Sequence, residues 1–365
     1  MTWLGKTRFG LVTAAFTVSA GCATTPPARV ASAPTVNVPA SAETVAVGTA
    51  NADAADDPAI WSFATPDATA RFGSARVNGW VAGTDKKAGL HIFGLDGQQL
   101  QFLPEGLLNN VDLREVEVNG RRQVVIGASD RGRMGVALYI FDPASDAPDN
   151  QVRPFGFIRS DVAEPYGFCM GVFNGAPHAV LIGKDGQARE YRISTGGSDV
   201  ATGEELRRFA IGSQSEGCVI DEANGHLYVG EEMIGVWRYG FGTQSTARTQ
   251  IQAVDASGRL IADVEGMSLI RDGGATYLLV SSQGDSAFAV WRVGGGEPAY
   301  IGRFHVSAGN GVDEVTTTDG IDAHSGPVGP YPEGLIVVQD DQNEGAQNFK
   351  YVDWRRVREA LGIRP

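Results

Sequence analysis

Short apolar runs separated by polar turns recur along the chain, and the chemistry of the turns predicts β-hairpins. The clearest unit is Ser215 to Glu232, SEGCVIDEANGHLYVGEE. Cys218, Val219 and Ile220 lead into Asn224-Gly225, and Leu227, Tyr228 and Val229 return. Asn-Gly between two apolar runs is a strong hairpin signal, because both residues tolerate positive φ. Antiparallel pairing sets the two open ends side by side, so Glu216 and Glu232 are expected on one rim of the sheet.

The same unit repeats. Copies begin near Asp57, Asp112, Gly167, Gly217, Gly266 and Gly334, at intervals of 55, 55, 50, 49 and 68 residues. A second apolar run with a polar end follows in most copies (GWVAGTDKK, QVVIGASDR, AVLIGKDG, LYVGEE, YLLVSSQGD), then an aromatic-rich third run. Small sheets repeated at this spacing indicate an all-β, six-bladed β-propeller. About thirty residues follow Gly334, too few for a full blade, so a segment around Glu43–Thr49 is expected to supply the last outer strand and close the ring. The competing arrangement, unrelated hairpins in a β-sandwich, does not require regular intervals.

Residues 1–22 carry Lys6 and Arg8, an apolar stretch from Phe9 to Ala20 and then small residues, the pattern of an export signal. The stretch is too short to span a bilayer comfortably. Ala20-Gly21-Cys22 resembles a lipoprotein cleavage site with lipid on Cys22, although Ser19 stands where Leu is usual; a plain secretory signal is the alternative. Residues 23–42, rich in Ala, Pro, Thr and Ser, read as a disordered tether, leaving 43–365 as the propeller. An exported monomer is expected, either secreted, periplasmic or anchored in the outer membrane, with membrane contact only through that lipid. Formal charge is −13, which disfavours nucleic acid and favours cations. Export permits a disulfide between Cys169 and Cys218, which occupy equivalent repeat positions; two buried thiols are the alternative.

The propeller places the starts of first strands and the ends of second strands on one face. That rim collects Asp56, Asp57, Lys86, Lys87, Arg131, Tyr166, Lys184, Glu216, Glu231, Glu232, Asp263, Glu265, Gln283, Asp285, Asp340 and Asp341. Asp263 and Glu265 alternate about Val264, so both are expected beside Glu216. Converging carboxylates raise one another's pKa unless a cation sits between them, and all-oxygen ligands favour Ca²⁺ over Zn²⁺. The long segment after the fifth copy holds Asp313, Glu314, Asp319 and Asp322 and lacks EF-hand spacing. Lys86, Lys87, Arg131 and Lys184 end the second strands of the first three blades and form a basic arc opposite the carboxylates. Cations facing an acidic cluster suit a polyphosphorylated ligand. The five His residues show no metal spacing, and no nucleophile elbow or cysteine-phosphatase loop is present.

These residues resemble a known family. DDPAIW (56–61), TDKKAGL (84–90), YGF (166–168), SEG (215–217), GEE (230–232), DVEGMSL (263–269), SSQGDSAFAVW (281–291), TDGID (318–322), YPEGL (331–335), VVQDDQN (337–343) and NFKYVDW (348–354) are similar to the β-propeller phytases, Ca²⁺-dependent alkaline enzymes of bacteria of the 3-phytase type. The resemblance implies stepwise hydrolysis of myo-inositol hexakisphosphate (phytate) by attack of a calcium-bound water, with no phospho-enzyme. It implies several calcium ions bridged by Asp57, Glu216, Glu232, Asp263, Glu265 and Asp319, with Asp313 and Gln283 at other calcium sites. It implies Tyr166 and Glu232 in the catalytic site, and Lys86, Arg131 and Lys184 on phosphate, with Lys87 extending the substrate arc. The loop after Arg131 (GRMG) and Gly171–Pro177 (GVFNGAP) depart from the pattern and bear on substrate preference. Two other readings are a calcium propeller lactonase, which would need a His base, and a non-enzymatic binding propeller, which would need no converging carboxylates.

Overall fold

The computed structural model describes residues 1–2, 30–65, 67–196, 200–343 and 345–364. The export signal and Cys22 lie almost wholly outside the described residues. Each repeat folds as one antiparallel meander, with its first strand innermost. The inner strands are Ala55–Ser62, Leu108–Val118, Pro165–Phe173, Ser215–Asp221, Val264–Asp272 and Ile321–Ser325, one for each of six blades. They surround an axial channel of about 950 Å³. The apolar faces pack blade against blade: Trp61 and Trp80 of the first blade share a cluster with Val124 and Tyr139 of the second.

The inner strands of neighbouring blades lie side by side without pairing, so backbone N–H groups facing a neighbour need other acceptors. Buried and half-buried carboxylates supply them. Asp57 accepts from Val111 N at 3.1 Å, Asp112 from Met170 N at 2.7 Å and Asp322 from Ile60 N at 2.7 Å, each joining one blade to the next. Close approach also explains the repeated glycines. A Cβ on Gly167, Gly217 or Gly320 would collide with the carbonyl oxygen of Glu216, Glu265 or Asp56 of the following blade.

That contact corrects the sixth repeat. Its opening glycine is Gly320, 54 residues after Gly266 (320 − 266), and its inner strand is Ile321–Ser325. Gly334 begins the second strand, Gly334–Asn343. What read as a long insertion therefore includes the inner strand itself. The N-terminal segment closes the ring as expected: Ala42–Glu43 pairs antiparallel with Ala346–Asp353, and Thr44 and Val47 continue the ladder by donating to Phe349 O and Gln347 O. The stretch assigned to a tether is ordered in part, because Val36–Pro39 adds a fifth strand to blade five, parallel to Ala299–Ser307.

In the Ser215–Glu231 hairpin, Asp221 pairs with His226, so Asn224-Gly225 ends a four-residue turn rather than forming a two-residue one. Gly225 has φ 65°, the left-handed conformation glycine takes without strain. Cys169 and Cys218 form a disulfide that ties the inner strands of blades three and four.

Candidate active site

Four inner strands carry a register shift at the same place, between Ala55 and Pro58, Pro165 and Phe168, Ser215 and Cys218, and Val264 and Met267. A bulge breaks the alternation of the strand and re-aims side chains. The bulged residues are Asp56-Asp57, Tyr166-Gly167, Glu216-Gly217 and Glu265-Gly266, the rim positions that carry the candidate chemistry.

At the centre, carboxylate oxygens of Glu216, Glu232 and Glu265 all lie within 4.8 Å of one another, and all three residues are buried. Among the described residues, Glu232 Oε1, Glu265 Oε2 and Asp56 Oδ2 are buried without a hydrogen-bond partner, while Asp56 Oδ1 faces Lys86. Burial raises the pKa of Glu216 and Glu232. Burial together with the charges of Glu216, Asp319 and Glu232 holds Glu265 well above the carboxylate range. Asp56 is pushed up to about 8, by burial first and then by Glu216. The cluster therefore carries more potential negative charge than its protein partners offset.

Lys86 is the internal counter-charge. Its Nζ lies 2.6 Å from Asp53, 3.1 Å from Asp56 and 3.1 Å from Asp319. Burial alone would lower its pKa, but Asp56, Asp319, Glu216 and Asp53 together raise it well above the usual lysine value. Asp319 is raised to about 7 by burial, against the pull of Lys86. Gln283 donates to Asp319 Oδ1, and Asp319 N donates to Gln339 Oε1 at 2.8 Å.

The basic arc forms beside this cluster. Arg131 donates to Lys86 O at 3.0 Å and stands 3.9 Å from Glu164. Lys184 is exposed and lies 5.3 Å from the Tyr166 ring centroid. Burial, then the charge of Glu216, raises the Tyr166 hydroxyl pKa, so the phenol stays protonated.

The structure thus brings together Glu216, Glu232, Glu265, Asp319, Gln283, Lys86, Arg131, Tyr166 and Lys184. Others it places differently. Asp263 is outside the triad, because the bulge after Val264 ends its alternation with Glu265; its charge acts on Glu232. Asp57 is buried as the tie to Val111, and Lys87 is exposed, with its backbone N donating to Asp85. Asp313, expected at another calcium site, does lie apart from the triad, where it, Glu43 and Asp340 surround the buried Lys350 ammonium. Glu231 is held by Ser213 and Trp237, and Asp285 by Arg303. The residues missed are Asp53, Asn109 and Asn110, since an Asn pair in LLNNVD carries no chemical signature until Asn109 is seen 2.6 Å from Glu216 Oε1.

The donor set fits a hard divalent cation. All ligand candidates are oxygens, two of the central oxygens are orphaned, and ligands of one Ca²⁺ at about 2.3–2.6 Å stand up to about 5 Å apart. The carboxylate spacing meets that limit.

A family model described as Phytase matches residues 6–365. The chain is a member of the phytase family. A curated relative, 3-phytase of Bacillus subtilis (strain 168), is 34% identical over 325 residues, covering 86% of this chain and 82% of the relative. Solved structures with a similar trace include BBS1N in complex with ARL6DN, at 14% identity and TM-score 0.44, covering 90% of this phytase chain and 94% of that one. A luciferin-regenerating enzyme matches at 10% identity and TM-score 0.47, covering 85% and 94%.

Proposed function

We propose that the chain is a phosphoric monoester hydrolase that removes phosphate from phytate at the rim of the propeller, with calcium held by the carboxylate cluster. Membership of the phytase family and the 3-phytase relative support the activity. The observation that carries the calcium reading is the buried Glu216, Glu232 and Glu265 triad with unpartnered oxygens at Glu232 and Glu265. Buried carboxylates without partners are costly, and a divalent cation is the group that would satisfy several at once.

When bound, calcium supplies Lewis acidity, charge neutralisation and an acidified water ligand. The chain supplies the rest. Glu216, Glu232 and Glu265 would hold the cation, and Asp319 would add a carboxylate braced by Gln283 and Gln339. Arg131 and Lys184 present donors to phosphate oxygens, where fixed positive charge favours the transition state over the ground state. Lys86, pinned among Asp53, Asp56 and Asp319, is less free to do so and contributes mainly to the field of the site. Tyr166 lies beneath Lys184 and limits its swing. A substrate with adjacent phosphates can engage the cluster with one and the arc with another, which favours inositol phosphates over simple monoesters.

Export is supported by the leader-like residues 1–22 and by the Cys169–Cys218 disulfide, which persists in oxidising compartments. The test of the activity is phosphate release from phytate with calcium and with excess chelator. Release that stops on chelation supports the reading; release that survives overturns the calcium part, and no release in either condition overturns the whole.

A further inference from the structure

We infer that Asn109 positions Glu216 and offers an uncharged oxygen to the cation of the triad. The inference rests on reading the triad as a cation site. Asn109 is the second residue of the inner strand of blade two and is fully buried. Its Nδ2 donates to Glu216 Oε1 at 2.6 Å, a charge-assisted contact. With Glu216 ionised, as a cation site requires, the opposite amide orientation would press Oδ1 against that carboxylate oxygen, so Nδ2 is the atom that faces it. Asn110, with its amide turned to donate, reaches Glu216 Oε1 at 3.1 Å and Tyr166 O at 2.7 Å. One carboxylate oxygen of the triad is therefore held by two consecutive amides from the neighbouring blade.

The other amide atom of Asn109 is the second observation. Oδ1 is buried and accepts no hydrogen bond. Buried carbonyl oxygens without a partner are uncommon and need a reason. The two amide atoms share one carbon and stand about 2.3 Å apart, so Oδ1 lies no more than about 5 Å from Glu216 Oε1. Hard cations take amide oxygens together with carboxylates. A neutral ligand adds coordination without adding to the repulsion among Glu216, Glu232 and Glu265. Asn109 suits that role better than another acid would in a cluster already short of positive charge.

The test compares wild type with Asn109→Leu and Asn109→Asp in two readouts, calcium titration by calorimetry and melting temperature in chelator and in calcium. Asn109→Leu removes both polar atoms at similar volume. Its Tm in chelator is expected to fall, because Glu216 loses a donor, and its calcium Kd to weaken at least tenfold, so that Tm falls further in calcium and the calcium-induced rise shrinks. Asn109→Asp keeps the oxygen and adds charge. It is expected to melt lower than wild type in chelator and to bind calcium at least as tightly. Wild-type calcium affinity in Asn109→Leu, or equal loss of Tm in chelator and in calcium, overturns the inference alone. If Asn109→Leu does not fold, weakened calcium binding in Asn109→Asp overturns it instead. A wild-type protein with no calcium response overturns the cluster reading and this inference together.

Discussion

Lys86 and Asp319 meet at 3.1 Å, Nζ to Oδ2, across the seam where blade six closes on blade one. The contact joins residues far apart in sequence and sets one ammonium against Asp56, Asp319 and the exposed Asp53. Breaking a buried pair from one side leaves uncompensated charge and costs about 3–5 kcal/mol. Lys86→Met should therefore lower stability by about that amount in chelator, read by denaturant unfolding. Added calcium should restore part of the loss, because it offsets the same carboxylates. A loss well under 1 kcal/mol would remove Lys86 from the role of counter-charge.

The carboxylates around Lys86 give a pH dependence with a definite sign. Asp56 and Asp319 have pKa values raised from the ordinary 3.8 to about 8 and about 7. An acid whose pKa is raised by folding binds its proton more tightly in the folded protein. Its contribution is fully present below pH about 4 and is lost as pH rises through the raised value. In chelator, Tm should fall between pH 5 and pH 8. Calcium binds the ionised forms and should flatten or reverse that trend. A chelated protein that gains stability from pH 5 to pH 8 would contradict the assignment.

The disulfide ties blades three and four two residues after Glu216 and three after Tyr166, with its cysteines 49 positions apart in sequence. Closing a loop of that length is worth about 4 kcal/mol in the chain-entropy account. The double variant Cys169→Ala/Cys218→Ala should lose about 2–4 kcal/mol in denaturant unfolding. Reductant should lower the wild-type Tm and leave that of the variant unchanged. Equal response of both proteins to reductant would refute the tie.

Arg131 separates binding chemistry from folding. Its side chain contacts Lys86 O and approaches Glu164, and its Nε is buried without a partner. Arg131→Ala should lower kcat/KM for phytate by about 10²–10³-fold, the scale seen when one fixed donor to developing charge is removed. Tm should change little. Parallel loss of activity and Tm would mark Arg131 as structural.

Much of this was readable in the residues. Six blades, closure near Glu43 and the facing carboxylates Glu216 and Glu232 follow from apolar periodicity and turn chemistry. The sixth inner strand was not readable as such. Ile321–Ser325 is only five residues long, with Asp322, His324 and Ser325 facing partly buried surroundings, and it follows a segment rich in Gly and Thr. The strand Val36–Pro39 was hidden by its Pro-rich context, since it gains its ladder only from the edge of blade five. Asp263 misled because alternation holds for a regular strand and the bulge at Val264–Met267 ends it.

The most direct test of the calcium account is anomalous diffraction from crystals grown with calcium. The account predicts a peak bridging Glu216, Glu232 and Glu265, about 2.3–2.6 Å from their oxygens, and its loss in Glu265→Gln. Calcium bound elsewhere with no peak at the triad, in a protein that still hydrolyses phytate, would contradict it.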